Sequence, residues 1–213
     1  MPTTISLSTR DKEILTGLTQ KVRLFSLRQI AEHWWNDEIA NTRRRLRSMV
    51  QAELVLKMTV AARSLPSISQ PLAVWQPGQE APNCGQVSYR LQTRWMQRAT
   101  RSITVFIATA HAAQLFGGIG RGELKNPLQA THDLGVAAVW MQLHTEAPEW
   151  AEAWRGEDLM AHTRHGEKLP DAFIVNDSGE TTWVIEFGGA YDTPRVEAFH
   201  ADCVEREVPY QIW

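Results

Sequence analysis

The sequence predicts an α+β protein in two parts: three helices with a two-stranded ribbon, then a segment reading α-β-β-β-α-β. Three observations predict it. Helical spacing with capping residues dominates the first 52 positions. Short apolar runs separated by turn residues dominate the last 60 or so. Charge also divides the chain: residues 1–125 hold 17 Lys and Arg against 8 Asp and Glu, a balance of +9, whereas residues 126–213 hold 5 against 16, a balance of −11. Such a split gives one surface suited to a polyanion and another that repels it.

Composition narrows the class. With 213 residues, 43% hydrophobic and 22% charged, the chain has room for one or two soluble domains. No apolar run approaches bilayer length, and residues 1–10 lack the apolar stretch of a signal peptide. Cys84 and Cys203 form neither a disulfide framework nor a Cys-x-x-Cys zinc site, so the expected compartment is a reducing cytoplasm, with no membrane partner.

In the first part, Ser8-Thr9 offers an N-cap to a helix carrying Ile14, Leu15, Leu18 and Val22. Ser26 and Gln29 form a capping box before a second helix whose inner face is Ile30, Ala31 and Trp34. A third helix is expected from about Asp37 to Ala52. On a helical wheel Ile39, Leu46 and Val50 face inward with Met49 at their edge, and Arg43 falls near them in a packing or ion-pair role. Asn41, Arg44, Arg45 and Ser48 point outward, flanked by Arg47. Guanidinium forks mixed with short hydrogen-bonding side chains suit phosphates and guanine edges in a DNA major groove. The apolar stretches Leu54–Val60 and Leu72–Trp75 would pair as a ribbon, completing a winged helix-turn-helix over residues 1–80, with Lys57 or Arg63 of the wing on phosphate. Residues 81–126 connect. Arg90, Arg94, Arg98 and Arg101 form one basic stripe if that stretch is helical, and none if Val87–Leu91 is a strand.

In the second part, residues 127–213, Ala108–Phe116 has already ended a short helix at Gly117-Gly118, and a longer helix is expected from Pro127 to Leu143. Strands are expected over Glu157–Thr163, Asp171–Val175 and Thr181–Phe187, the last two joined by the turn Asn176–Gly179. Pro194–Glu207 reads as a helix and Tyr210–Trp213 as a final strand. His132 reads as a core residue, His162 and His165 as loop residues, and most of the nine tryptophans as core.

Pro170-Asp171 opening one strand and Glu186 ending the next resemble the PD-(D/E)xK nuclease superfamily. That resemblance implies an Asp and a Glu converging to hold Mg²⁺ or Mn²⁺, with Asp133 or Glu157 as auxiliary ligand and a Lys two residues after the Glu. Here that position is Gly188, with Lys168 and Arg195 the nearest substitutes, which favours a domain retained as a scaffold. The runs Leu24–Ala31, Thr42–Leu46, Trp75–Gly78, Leu115–Gly118, Thr131–Leu134, Leu169–Ala172 and Ile185–Tyr191, in that order, resemble the replication-relaxation family of plasmid and mobile-element proteins. The resemblance implies a bacterial, nucleoid- or plasmid-associated regulator that binds double-stranded DNA without a cofactor. A homodimer, or replication, mobilisation or defence proteins, would be its partners. The alternatives are a divalent-metal-dependent endonuclease targeted by the winged helix, and a protein-interaction module.

Overall fold

A computed structural model describes residues 5–121, 124, 129–160 and 169–213. In chain order the first elements are α1 (Thr9–Thr16), which runs into a π-helical turn (Gly17–Lys21), β1 (Phe25–Ser26), α2 (Leu27–Trp35), α3 (Ile39–Gln51) and β2 (Val55–Arg63). Then come β3 (Ala73–Trp75), α4 (Cys84–Thr93), β4 (Thr100–Ala108), α5 (Ala110–Phe116) and α6 (Ala130–Glu146). The remainder is α7 (Pro148–Ala153), β5 (Trp154–Gly156), α8 (Glu157–Met160), β6 (Ala172–Val175), β7 (Thr181–Glu186), α9 (Thr193–Glu205) and β8 (Tyr210–Ile212). The fold is mixed α+β, with two sheets among the described residues. No helix among the described residues is long and apolar enough to cross a membrane.

Two compact units emerge, and neither is a continuous piece of chain. One comprises residues 1–63 and 100–138, the other 64–99 and 139–213. This interleaving replaces the division at residues 80 and 126 expected from the sequence.

Local capping starts the helices of the first unit. Ser8 caps α1 in a reciprocal box with Asp11, and Ser26 caps α2 in a second with Gln29. Asn36 ends α2 in the left-handed conformation that asparagine tolerates. The three-stranded sheet has the order β1-β4-β2, antiparallel throughout. Its main ribbon therefore differs from the expected one. β2 pairs with β4 along its whole length, from Val55↔Ala108 to Arg63↔Thr100, while β3 joins the other unit's sheet. Nine paired positions bury more and satisfy more backbone than the three residues of β3 could offer. Past α5, Gly118 (φ 84°) lies so close to the π turn that a Cβ there would sit 2.2 Å from the Thr19 carbonyl oxygen. Only glycine fits both constraints.

The second unit is a five-stranded sheet of order β3-β8-β7-β6-β5, in which β7 and β8 run parallel and the other pairs antiparallel. α9 connects the parallel pair, and α4 packs against α9. Trp75, Leu91, Phe173, Val196, Phe199 and Tyr210 form the centre of this core. The strand expected at Glu157–Thr163 is instead β5, just before it, followed by the helical turn α8; residues 161–168, with His162, His165 and Lys168, lie outside the described residues. The expected start of the long helix, Pro127 and Leu128, lies outside them too; α6 is described from Ala130. The arginine stripe dissolves for a reason neither alternative anticipated. Val87–Leu91 is helical, but α4 ends at Thr93, and Arg101 belongs to β4 in the first unit.

Candidate functional site

Rotation of α3 about its axis decides which arginines are available. Its buried stripe is Thr42, Leu46 and Met49, with Ile39 and Val50 half-buried at the margins. Thr42 is polar by type, yet its hydroxyl donates to the Glu38 carbonyl at 2.9 Å, so it is buried without an unsatisfied group. The inner face consequently turns away from Arg43 and toward Arg45. Arg43, expected to pack, is exposed beside Arg44 and Arg47.

Arg45, expected to face DNA, is instead a structural tie. Its Nε and Nη2 grip both oxygens of Asp11, at 2.9 and 2.5 Å, and Nη2 also donates to the Ser6 carbonyl. Asp11 is fully buried while also serving the α1 capping box. Burial pushes its carboxyl upward, but hydrogen bonds from Arg45 and Ser8 outweigh this and hold it below the usual aspartate range.

Two depressions flank α3 within the first unit. One, of about 420 Å³, is lined by Arg43, Arg47, Lys57 and Thr104 over a floor including Val50 and Phe106. No acidic residue lines it among the described residues. Strand alternation extends this face along the ribbon: Lys57, Thr59, Ala61 and Arg63 of β2 lie opposite Phe106, Thr104, Ser102 and Thr100 of β4. The other depression, of about 730 Å³, is lined by Arg10, Trp35, Asn41, Arg44 and Ser48 together with the paired Asp11 and Arg45. Arg44 donates to the Asn41 side chain at 2.8 Å, and the Arg10 guanidinium lies 4.5 Å from the Trp35 ring centre. Expected interface residues Asn41, Arg44 and Ser48 thus gather on one flank of α3, while Arg47 belongs to the other.

The second unit brings Asp171 and Glu186 together. The last β6–β7 pair is Ala172↔Ile185, so the next position sets the two acids side by side at the strand ends. Like charges placed so repel, and backbone donors offset this reciprocally. Asp171 N–H donates to Glu186 Oε2 at 3.2 Å, and Phe187 N–H donates to Asp171 Oδ2 at 2.7 Å. Buried Tyr191 donates its hydroxyl to Glu186 Oε1 and accepts from Arg195 Nη2 at 3.1 Å. Burial and then the Glu186 charge raise the Tyr191 phenol, keeping it protonated as a donor. Arg195 also stacks over the Tyr191 ring at 3.9 Å, so it is coupled to Glu186 through that tyrosine.

The auxiliary acids fare differently. Glu157 begins α8, and its backbone N–H donates to the Asp171 carbonyl at 3.0 Å. Asp133 belongs to the first unit, where it is buried and paired with Arg23 at 3.2 Å; burial raises its carboxyl against the opposing pull of Arg23. It is a structural ion pair there. Among the described residues no group of three or more His, Cys, Asp or Glu is arranged to hold a metal ion. Sequence reasoning missed Arg43, Tyr191 and Leu91. Tyr191 alone carried a local signal, five residues beyond Glu186 and past a glycine pair.

No family model matches the chain, and no curated protein or solved structure does either.

Two outcomes follow from these contacts. Because the Asp11 carboxyl lies below its ordinary value of 3.8, its contribution is present above that pH and lost as pH falls through the lower folded value. Asp11→Asn should lower unfolding free energy by about 2 kcal/mol at neutral pH, and the difference from the parent should shrink in the acid limb of a denaturant series. Tyr191→Phe, which leaves a buried carboxylate oxygen without its hydroxyl donor, should lower stability by about 1–3 kcal/mol in urea unfolding.

Proposed function

We propose that this chain is a double-stranded DNA-binding regulator of a bacterial plasmid or mobile element. In this reading the first unit is a winged helix with α3 as its recognition helix and the β2–β4 ribbon as its wing. The observation that carries it is the acid-free, cation-lined depression between α3 and the ribbon, matched by a second basic depression on the opposite flank. A helix in a major groove about 12 Å wide has a phosphate strand on either side. Arg43, Arg47 and Lys57 suit one strand, with Thr104 and Ser102 as hydroxyl donors beside them. Arg44 and Arg10, with Ser8 and Ser48, suit the other. Arg45, tied to Asp11, holds α3 in the rotation that presents these arginines.

The order of elements in the second unit, with a parallel β7–β8 pair linked by α9, supports a nuclease-like scaffold. The second reading, a divalent-metal-dependent endonuclease, would require the side-by-side Asp171 and Glu186 as its ligands. Supercoiled plasmid nicked only with Mn²⁺, and only while Asp171 is intact, would establish that reading.

The DNA reading is tested by anisotropy titration of duplex DNA. Arg43→Ala, Arg47→Ala and Lys57→Ala together should weaken binding at least about 30-fold. The slope of log K against log salt should become shallower by about 2.7, which is about 0.9 for each of three phosphates no longer neutralised. A folded triple variant with undiminished affinity would sink the proposal.

A further inference from the structure

We infer that α4 seals the carboxylate pair of the second unit, making Asp171 and Glu186 a strand-end latch and not a divalent-cation site. The inference rests on the nuclease-like reading only for the meaning of position 188; the seal itself is independent of DNA binding.

Leu91 of α4 takes up the room at position 188. A Cβ on Gly188 would lie 2.8 Å from both methyl carbons of Leu91 and 3.2 Å from Ile212 Cγ2. Leu91 is fully buried, so its side chain has nowhere to withdraw. Even alanine is crowded there, and a lysine would have to start from the same crowded Cβ. The glycine is therefore required by the helix above it.

The end of α4 and the turn that follows it are fastened to the same strand ends. Ser88 Oγ and Gln92 Nε2 donate to the Tyr191 carbonyl at 3.0 and 3.2 Å. Trp95 Nε1 donates to the Gly189 carbonyl at 2.7 Å. Arg94 donates to the Trp213 carbonyl at 2.9 Å and lays its guanidinium 4.7 Å from the Phe187 ring centre. Burial drives the Arg94 guanidinium down to about 10, and its Nε has no hydrogen-bond partner among the described residues. A cation held this way, between an aromatic ring and a carbonyl, belongs to packing.

Beneath the seal, both Glu186 carboxylate oxygens are already engaged. Glu186 is 4% exposed and accepts from Asp171 N–H at one oxygen and Tyr191 OH at the other. Asp171 Oδ2 accepts from Phe187 N–H. Magnesium and manganese need several oxygens facing one point and room for retained water. With Glu186 buried and both its oxygens turned to backbone and phenol donors, the pair does not fit such an ion.

The test is Mn²⁺ titration of the full chain, followed by the electron paramagnetic resonance signal of free Mn²⁺. The wild type should show no binding that Asp171→Asn removes; binding that Asp171→Asn abolishes would overturn the inference. Leu91→Ala with Tyr191→Phe, which opens the seal and frees Glu186, should gain binding that Asp171→Asn removes. A folded double variant that gains none would refute α4 as the seal. A thermal-stability cycle covers the case of poor folding: Gly188→Ala should lower Tm in the parent and much less in Leu91→Ala, and equal losses would refute the contact. DNA affinity, measured separately, would fail with the winged-helix reading while leaving every one of these arms unchanged.

Discussion

The bidentate grip of Arg45 on buried Asp11 is the contact on which the first unit turns. One carboxylate completes the α1 cap and anchors α3, so the start of one helix and the rotation of another are set together. Two parallel N–H···O bonds to a carboxylate fix orientation as well as distance, which a single bond or a lysine would not do. With Arg45 held inward, Arg43, Arg44 and Arg47 lie on the exposed side of α3. The basic surface thus depends on an arginine whose charge is already committed to Asp11. Burying the pair is costly in itself, and what it provides is a unique helix rotation, defined by geometry that hydrophobic packing alone would leave loose.

The second unit uses the same economy of polar groups at a different place. Two acids at adjoining strand ends would splay the sheet where its ladder stops. Reciprocal backbone donors and Tyr191 convert that repulsion into a closure, and α4 then covers it. Arg195, a candidate substitute for an absent lysine, contributes by ordering the tyrosine.

What could be read in the sequence was what local chemistry decides. The caps at Ser8 and Ser26 needed only residues three positions away, and both formed. The pairing of β6 with β7 was legible from the Asn176–Gly179 turn, but the exact meeting of Asp171 with Glu186 depends on a one-residue slip between Ile174 and Val175 that the turn does not announce. The pairing of β2 was not legible, since β3 comes first in the chain and β4 lies beyond it, and nothing near β2 distinguishes them. Thr42 hid the true face of α3 because hydropathy ignores a hydroxyl that bonds its own helix. The tie between Asp11 and Arg45 and the fit of Leu91 over Gly188 join residues far apart in the chain, where spacing carries no information.

Interleaving has a consequence for how the chain is made. Arg63 and Thr100, cross-strand partners in one sheet, bracket the whole of residues 64–99, which fold into the other unit. The ribosome therefore delivers β2 well before its partner β4, and α4 between them, long before α9 and β8 exist for α4 to pack on. The intervening stretch adds little to the entropy of closing the β2–β4 ribbon, because that cost grows only logarithmically with loop length. The first sheet can close as soon as β4 emerges, with α4 looped out from it. Only when α9 and β8 have followed can the looped segment dock, so the helix covering the carboxylates is synthesised early and settles last.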